Sequence, residues 1–204
     1  MLYKYNNVNQ TTLKILGLFK SNYKASFHLR EIAREIQVDV KAVRAQLDRL
    51  EKSNIVTSVQ NGKNKEYSLN LSNYLTIYHV ILAEAFASID YLSRHFEIRK
   101  LVSEINGNFG NVAVLFGSFA KENMTDESDI DIIVIADRKP EEKAFREVGS
   151  LIDRKISLKF ATPEQFSKGL ISGDPLIREV VANHVVLKGI DSLCDIMWRY
   201  YAKR

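Results

Sequence analysis

The fold is decided by one stretch of this 204-residue chain, Val112-Ala-Val-Leu-Phe-Gly-Ser-Phe-Ala-Lys-Glu-Asn-Met-Thr-Asp-Glu-Ser-Asp-Ile-Asp-Ile-Ile-Val-Ile-Ala136. It opens with an apolar run, Val112–Phe116, whose length and composition predict a buried strand. Gly117 and Ser118 interrupt that strand, and a short polar segment follows. A second apolar run begins at Ile130, so the stretch is predicted to form two strands joined by a polar loop.

Two carboxylates flank the start of the second apolar run. Residues i and i+2 of a strand point to the same face, so Asp129 and Asp131 are predicted to project together while Ile130 points into a core. A divalent cation neutralises the repulsion between paired carboxylates, and Mg²⁺ binds one or two carboxylates together with substrate phosphates. Gly117 lets the backbone approach a phosphate closely, and Ser118 offers a hydroxyl and an amide donor. The pattern predicts a Mg²⁺ site facing a phosphate cradle, as transfer from a nucleoside triphosphate (NTP) requires.

Gly117-Ser118, ten intervening residues and Asp129-Ile130-Asp131 resemble the G-S-x10-D-x-D signature of the DNA polymerase β-like nucleotidyltransferases. The resemblance is greatest to the minimal nucleotidyltransferases of archaea and bacteria. It implies that Gly117 and Ser118 hold the triphosphate and that Asp129 and Asp131 bind Mg²⁺ and are catalytic. It also implies a nucleotide contact for Lys121, which stands where the family has a basic residue. The alternative interpretation is a surface turn followed by a polar strand entrance.

The sequence departs from this family at the third carboxylate, which the family takes from the strand after the D-x-D strand. The matching strand is predicted at Ile156–Phe160, where the candidate positions hold Ser157 and Lys159. Asp153 precedes this strand but is predicted to lie on the preceding helix. Two placements of Lys159 are open: it pairs with Asp129 or Asp131 in place of a metal ion, or it points to the opposite face. In the first case nucleotide would bind but transfer would be slow or absent.

The first seventy residues carry the pattern of a winged helix-turn-helix domain. Apolar side chains at helical spacing predict three helices, at 11–21, Leu29–Ile36 and Val40–Ser53. Asn61-Gly62 is a hairpin turn signal and separates two predicted strands. This order resembles that of the winged-helix regulators of bacteria and archaea, and the resemblance implies binding of double-stranded DNA.

The winged-helix resemblance makes the Val40–Ser53 helix the recognition helix, which enters the major groove, and places the hairpin against neighbouring phosphates. It implies DNA contacts for five basic residues of the helix and the hairpin, Lys41, Arg44, Arg49, Lys63 and Lys65. Two alternatives are that these charges form an ordinary solvated surface and that the domain binds another protein. The charge balance favours DNA, because residues 1–70 hold twelve Lys and Arg against six Asp and Glu.

Composition restricts the class of protein further. The whole chain has a formal net charge of +4, and 46% of its residues are hydrophobic, enough for sizeable cores. The single cysteine, Cys194, excludes an intramolecular disulfide and is typical of a reducing compartment. No signal-peptide pattern opens the sequence, and we expect no apolar run long enough to span a bilayer. We therefore expect a cytoplasmic protein without a membrane partner.

Residues 71–95 form a long apolar segment without glycine or proline, which predicts a buried helix. This helix serves either as a rigid connector or as the contact in a homodimer. We therefore expect an α+β protein in three parts: a winged helix-turn-helix at 1–70, a connecting helix at 71–95, and a nucleotidyltransferase-like domain at 96–204. In the last part helices cover a mixed sheet.

Two functions are compatible with these features. In the first, the protein is a Mg²⁺-dependent enzyme that moves a nucleoside monophosphate from an NTP to an acceptor hydroxyl and releases pyrophosphate. In the second, it is a transcriptional regulator that senses a nucleotide and transfers it slowly or not at all. The intact G-S-x10-D-x-D pattern favours the enzyme, and the missing third carboxylate favours the sensor.

Overall fold

The computed structural model describes residues 8–62, 64–105, 107 and 109–202. They form a mixed α and β structure, which confirms the predicted α+β class. The chain divides into two compact units. The first comprises the described residues up to Phe86 together with Tyr201 and Ala202, and the second runs from Ala87 to Tyr200.

The first unit combines helices with a small antiparallel sheet, in which the strands lie in the order β1-β3-β2. Its elements are α1 (Gln10–Gly17), β1 (Ser26–His28), α2 (Leu29–Glu35), α3 (Val40–Lys52), β2 (Val56–Asn61) and β3 (Asn64–Leu69). The first helix ends at Gly17, before the predicted limit of 21, since glycine is a weak helix former.

Helix α3 has one buried face and one exposed face. The Asp39 side chain accepts hydrogen bonds from the Lys41 and Ala42 amides and so begins the helix. Its apolar residues Val43, Leu47 and Leu50 are buried. Arg44, Asp48 and Arg49 between them are charged and exposed, so this face of the helix presents a hydrophilic surface to solvent.

The second unit is built on a four-stranded sheet in the order β6-β5-β4-β7. After α4 (Leu75–Arg94) come α5 (Phe96–Ile105), β4 (Val112–Phe116), α6 (Gly117–Ala120), β5 (Ile130–Ile135), α7 (Glu142–Leu151), β6 (Ile156–Ala161), α8 (Pro163–Ser172), α9 (Pro175–Ala182), β7 (Val185–Lys188) and α10 (Ile190–Ala202). Strand β5 is parallel to β6 and antiparallel to β4, so the sheet is mixed, as predicted.

One face of this sheet packs against α5 and α7. Ile130, Ile132 and Val134 lie in that core, which confirms the predicted inward face of β5. The predicted position of Asp153 is wrong: α7 ends at Leu151, and Asp153 lies in the following turn with φ 52°. Aspartate tolerates this left-handed conformation better than most residues do.

Helix α4 corrects one expectation from composition. Among the described residues it is the one helix long and apolar enough to cross a membrane, with a mean hydropathy of 1.3. Buried helices of soluble proteins have the same length and composition, and 39% of this segment is buried within the protein. The boundary between the two units falls inside α4, between Phe86 and Ala87.

Candidate functional site

The turn after β4 brings the backbone of Gly117 against the side chain of Asp131. Phe116 on β4 pairs with Asp131 on β5, so the residue after Phe116 lies beside that carboxylate. Gly117 has φ +70°, and a Cβ atom built on it would lie 2.4 Å from Oδ2 of Asp131. Any other residue would combine a strained backbone with a steric clash. Because Gly117 has no Cβ atom, a ligand bound to Asp131 can come close to the backbone of this turn.

Ser118 follows in α6, a single turn of helix. The Lys121 amide donates to the Gly117 carbonyl, and the Asn123 amide donates to the Ser118 carbonyl, so the turn is closed by its own backbone. The hydroxyl of Tyr91 donates a hydrogen bond to the carbonyl of Phe119 at 2.9 Å and so anchors the turn to α4. Burial raises the pKa of Tyr91, which keeps this hydroxyl a donor. Ser118 itself is half-buried, beside Gly117.

Asp129 precedes β5 and forms an ion pair with a residue that the sequence analysis did not single out. Nζ of Lys155 lies 2.7 Å from Oδ2 of Asp129. This hydrogen bond raises the pKa of Lys155, and the charge of Asp131 adds to the effect. The charges of both carboxylates therefore act on Lys155. Lys155 is itself anchored by the strand pairing, because its carbonyl accepts a hydrogen bond from the Ile130 amide at 2.8 Å.

Strand β6 supplies a hydroxyl where the resemblance called for a carboxylate. Ser157 lies opposite Asp131 in the parallel pairing. Lys159 lies opposite Ile133, further along the strand, so the suggested pairing of Lys159 with an aspartate is wrong and Lys155 takes that place. Within the described residues, no cluster of three or more His, Cys, Asp and Glu side chains could hold a metal ion.

Lys121 is placed near the turn but has an acidic partner of its own. Its Nζ lies 2.7 Å from Oε1 of Glu179 on α9. Both side chains are partly exposed, and exposed ion pairs of this kind contribute little to stability. A phosphate group could replace Glu179 as the partner of Lys121 at small cost.

The donor set suits Mg²⁺ held jointly by protein and ligand. Asp129 and Asp131 offer hard carboxylate oxygens, and Mg²⁺ commonly takes one or two carboxylates and completes its shell with phosphate oxygens and water. The space that a Cβ atom at position 117 would occupy lies directly beside the Asp131 carboxylate. Two carboxylates beside an open glycine turn therefore fit a Mg²⁺–triphosphate complex.

A cleft of about 630 Å³ opens beside Lys155, between α7 and β6. Its wall includes Phe145, Ile156 and Leu158 as apolar residues and Arg146 as a cation. Arg154, also in the wall, forms an ion pair with Glu97 and donates hydrogen bonds to the carbonyls of Thr125 and Asp126. Arg154 thereby fixes the loop that leads to Asp129.

The basic residues of the first unit are distributed over α3 and the hairpin. Lys41, Arg44 and Arg49 are exposed on α3, as predicted. Lys65 on β3 forms an ion pair with Glu51, at 2.7 Å, which raises the pKa of Lys65 and ties the hairpin to α3. Lys63, the remaining predicted DNA contact, lies outside the described residues.

One cation that the sequence did not indicate, Arg30, lines a concave surface of this unit. A cleft of about 850 Å³ is lined by side chains from α2, α3 and the hairpin. Arg30 joins Arg44 and Lys65 there, with Asp48 as an acidic neighbour. Arg30 lies in the first turn of α2, the helix that precedes α3, and no spacing rule within the sequence connects it to the hairpin.

Comparison with known proteins finds a similarity for the second part of the chain. Residues 96–192 match the family model described as Polymerase beta, Nucleotidyltransferase. This segment contains Gly117, Ser118, Asp129 and Asp131 and is similar to a nucleotidyltransferase domain. No curated protein and no solved structure matched the chain.

Proposed function

We propose that the second unit binds an NTP together with Mg²⁺ at the Gly117–Asp131 turn and transfers its nucleoside monophosphate to an acceptor hydroxyl. The observation that carries this proposal is the contact between the Gly117 turn and the Asp131 carboxylate in a segment similar to a nucleotidyltransferase domain. A triphosphate lying over this turn would reach the Gly117 backbone, the Ser118 hydroxyl and both carboxylates.

Each group of the site has a separate role in this reaction. Bound Mg²⁺ would draw negative charge from the transferring phosphate and the pyrophosphate leaving group. Asp129 and Asp131 would hold that ion, while Ser118 and Lys121 would orient the triphosphate. The acceptor oxygen bonds to the α-phosphorus, the bond to the bridging oxygen of pyrophosphate breaks, and the proton of the acceptor passes to solvent. Because no third carboxylate is available among the described residues to take that proton, we expect slow turnover.

The test of this proposal is incubation of the purified protein with each α-labelled NTP and Mg²⁺, with and without cellular RNA and protein. We expect label to enter one class of macromolecule and pyrophosphate to appear in equal amount. The Asp129→Asn variant should give neither product. Transfer that persists in this variant would contradict the assigned site.

A second candidate, a nucleotide-sensing regulator, is favoured by Ser157 and Lys155. A serine stands opposite Asp131, and a lysine already neutralises Asp129. Both features support nucleotide binding without efficient transfer. If this candidate is right, Mg²⁺ and NTP will change the DNA affinity of the protein, and by linkage DNA will change the NTP affinity by the same factor. Binding without transfer, combined with such coupling, would select the sensor over the enzyme.

Lys155 allows a prediction that bears on both candidates. Replacing Lys155 by glutamine removes the cation beside Asp129 and keeps most of the side chain. We expect the affinity for Mg²⁺ alone to rise by roughly 2–5-fold, because an exposed ion pair competes only weakly with the metal. Titration calorimetry measures this. Lys159→Gln, on β6 four residues further along the chain, is the matched control, and an equal effect in both variants would contradict a specific role for Lys155.

We further propose that the first unit binds double-stranded DNA as a winged helix-turn-helix. Support comes from the exposed cations of α3, from the hairpin beside them and from the basic charge of residues 1–70. Lys41, Arg44 and Arg49 would contact the groove or its phosphates, with Lys63 and Lys65 on the hairpin. Because Lys65 pairs with Glu51, its main role is to hold the hairpin against α3, and its contact with a phosphate is secondary.

Replacing Arg44 by alanine should weaken binding to a random 30-base-pair duplex. We expect a loss of about 5–10-fold and a decrease of about one in the slope of log affinity against log salt concentration, because one phosphate contact is removed. Fluorescence anisotropy over a salt series measures both values. Arg34→Ala, an exposed arginine of α2 paired with Glu35, is the control and should leave both unchanged. Equal slopes for wild type and Arg44→Ala would contradict this surface.

A further inference from the structure

Helix α4 is apolar on two sides, and the packing of the protein covers only one of them. Ile77, Val80 and Ala83 lie on the covered side and are each at most 3% exposed. The opposite side carries Leu75, Tyr78, Leu82 and Ile89, which are exposed to 49%, 51%, 47% and 69%. These four residues are called the α4 stripe below.

The exposed apolar side chains are concentrated on this helix. Eleven large apolar residues of the described chain are exposed, and five of them, Tyr74 and the α4 stripe, lie within sixteen consecutive positions. The rings of Tyr74 and Tyr78 meet edge to face, with their centroids 5.6 Å apart. Soluble proteins rarely expose apolar residues in such a contiguous row, and where they do the row marks an interaction site.

The spacing of the α4 stripe indicates another helix as its partner. Leu75, Leu82 and Ile89 are seven residues apart, and Tyr78 and Ala85 lie between them at the alternate three- and four-residue steps. A seven-residue apolar repeat keeps one seam directed at a neighbouring helix along its whole length. A flat lipid surface imposes no such narrow repeat.

The exposed area reaches the size that a specific interface needs. Tyr74 and the four residues of the α4 stripe are each about half exposed or more. Each of these five side chains offers on the order of 100 Å² of surface. A symmetric pair of these surfaces would therefore bury about 1,000 Å² in total, the lower limit for a specific protein–protein contact. An isologous contact doubles the area without requiring a second kind of surface.

A bilayer is a poorer occupant of the same helix. The covered side of α4 includes the buried carboxylate of Glu84, and Thr76 donates a hydrogen bond to the Asn70 carbonyl at 2.9 Å. Insertion would detach this side from the protein and expose Glu84 to lipid, which is costly. A second protein copy covers the α4 stripe and leaves the other side as it is.

We propose that the α4 stripe is a homodimer interface, in which α4 of one chain packs against α4 of a second copy. This inference depends only on α4 and is independent of the nucleotide and DNA sites. In the dimer, leucine and isoleucine side chains interdigitate along the seven-residue repeat, and Tyr78 closes the seam near one end.

Sedimentation equilibrium of the full chain tests this proposal. We expect the wild type to have twice the chain mass of 23.4 kDa at micromolar concentration. Leu82→Glu should raise the dimer dissociation constant by about 100-fold or more, because two unpaired carboxylates would be buried at the contact. Leu82→Gln, with similar volume and no charge, should raise it less and guards against an effect of misfolding. Circular dichroism should show unchanged helix content in both variants.

Ile171→Glu is the matched control, since Ile171 is a similarly exposed apolar residue on α8. This variant should dimerise like the wild type. A wild type of single-chain mass, or equal weakening by Leu82→Glu and Ile171→Glu, would overturn the proposal. Co-sedimentation of the wild type with phosphatidylcholine vesicles, lost in Leu82→Glu, would overturn it in favour of a membrane.

Discussion

Replacing both Asp129 and Asp131 by asparagine is expected to abolish Mg²⁺-dependent NTP binding, with a loss of affinity of at least about 1,000-fold. Asparagine keeps the size of the side chain and removes the charge, so the metal loses both anionic protein ligands. The triphosphate then faces the Gly117 turn without the cation that neutralises it. Calorimetric titration with NTP in Mg²⁺ and in EDTA gives the affinity in both conditions. In EDTA, wild type and variant should bind equally weakly.

The control for this pair is Asp137→Asn, because Asp137 is an exposed aspartate beyond the other end of β5. It should bind NTP with the affinity of the wild type. If the double asparagine variant kept its Mg²⁺-dependent affinity, the two carboxylates would not be the metal ligands. Both the enzyme and the sensor would then be wrong, while the homodimer contact of α4 would be unaffected.

Replacing Gly117 by alanine is expected to damage both stability and the site. The residue has φ +70°, a conformation that costs other residues about 1–2 kcal/mol. Its Cβ would also lie 2.4 Å from Oδ2 of Asp131, so the carboxylate or the turn must move. We expect the free energy of unfolding to fall by roughly 2–4 kcal/mol in total. The displaced Asp131 should also weaken Mg²⁺-dependent NTP binding. Urea denaturation and calorimetry measure the two effects.

Gly62 separates the two causes of that loss. It has φ +61°, nearly the same as Gly117, but a Cβ atom built there meets nothing within 4 Å. Gly62→Ala should therefore lose only about 1–2 kcal/mol, the cost of the backbone conformation, and should bind NTP normally. Equal losses for Gly62→Ala and Gly117→Ala would show that the contact with Asp131 is unimportant.

Much of the second unit could be predicted from its residues alone. The apolar run Val112–Phe116 is a strand because five successive buried side chains need cover on both faces of a sheet. The alternation around Asp131 fixed the inward direction of Ile130 and Ile132, since the side-chain period of a strand is two. Thr162 begins α8, because threonine favours the start of a helix, where its side chain accepts a hydrogen bond from the Gln165 amide.

The site could be predicted in part. Gly117, Ser118, Asp129 and Asp131 follow from spacing, because a strand pair returns the chain to the same sheet edge within one loop. Lys155 did not follow, because its contact with Asp129 depends on the register between β5 and β6, which are parallel and separated by α7. The sequence left open a pairing of one aspartate with Lys159, which lies on β6 four residues further along the chain.

What the sequence by itself determined is the set of elements, the inward face of β5 and the loop that joins two carboxylates to a glycine turn. These depend on local periodicity and turn preferences, which act over a few residues. What only the tertiary structure decided is which cation meets Asp129, that Ser157 faces Asp131, and which of the two apolar sides of α4 is covered. These depend on contacts between segments far apart in the chain, whose register and packing no local pattern specifies.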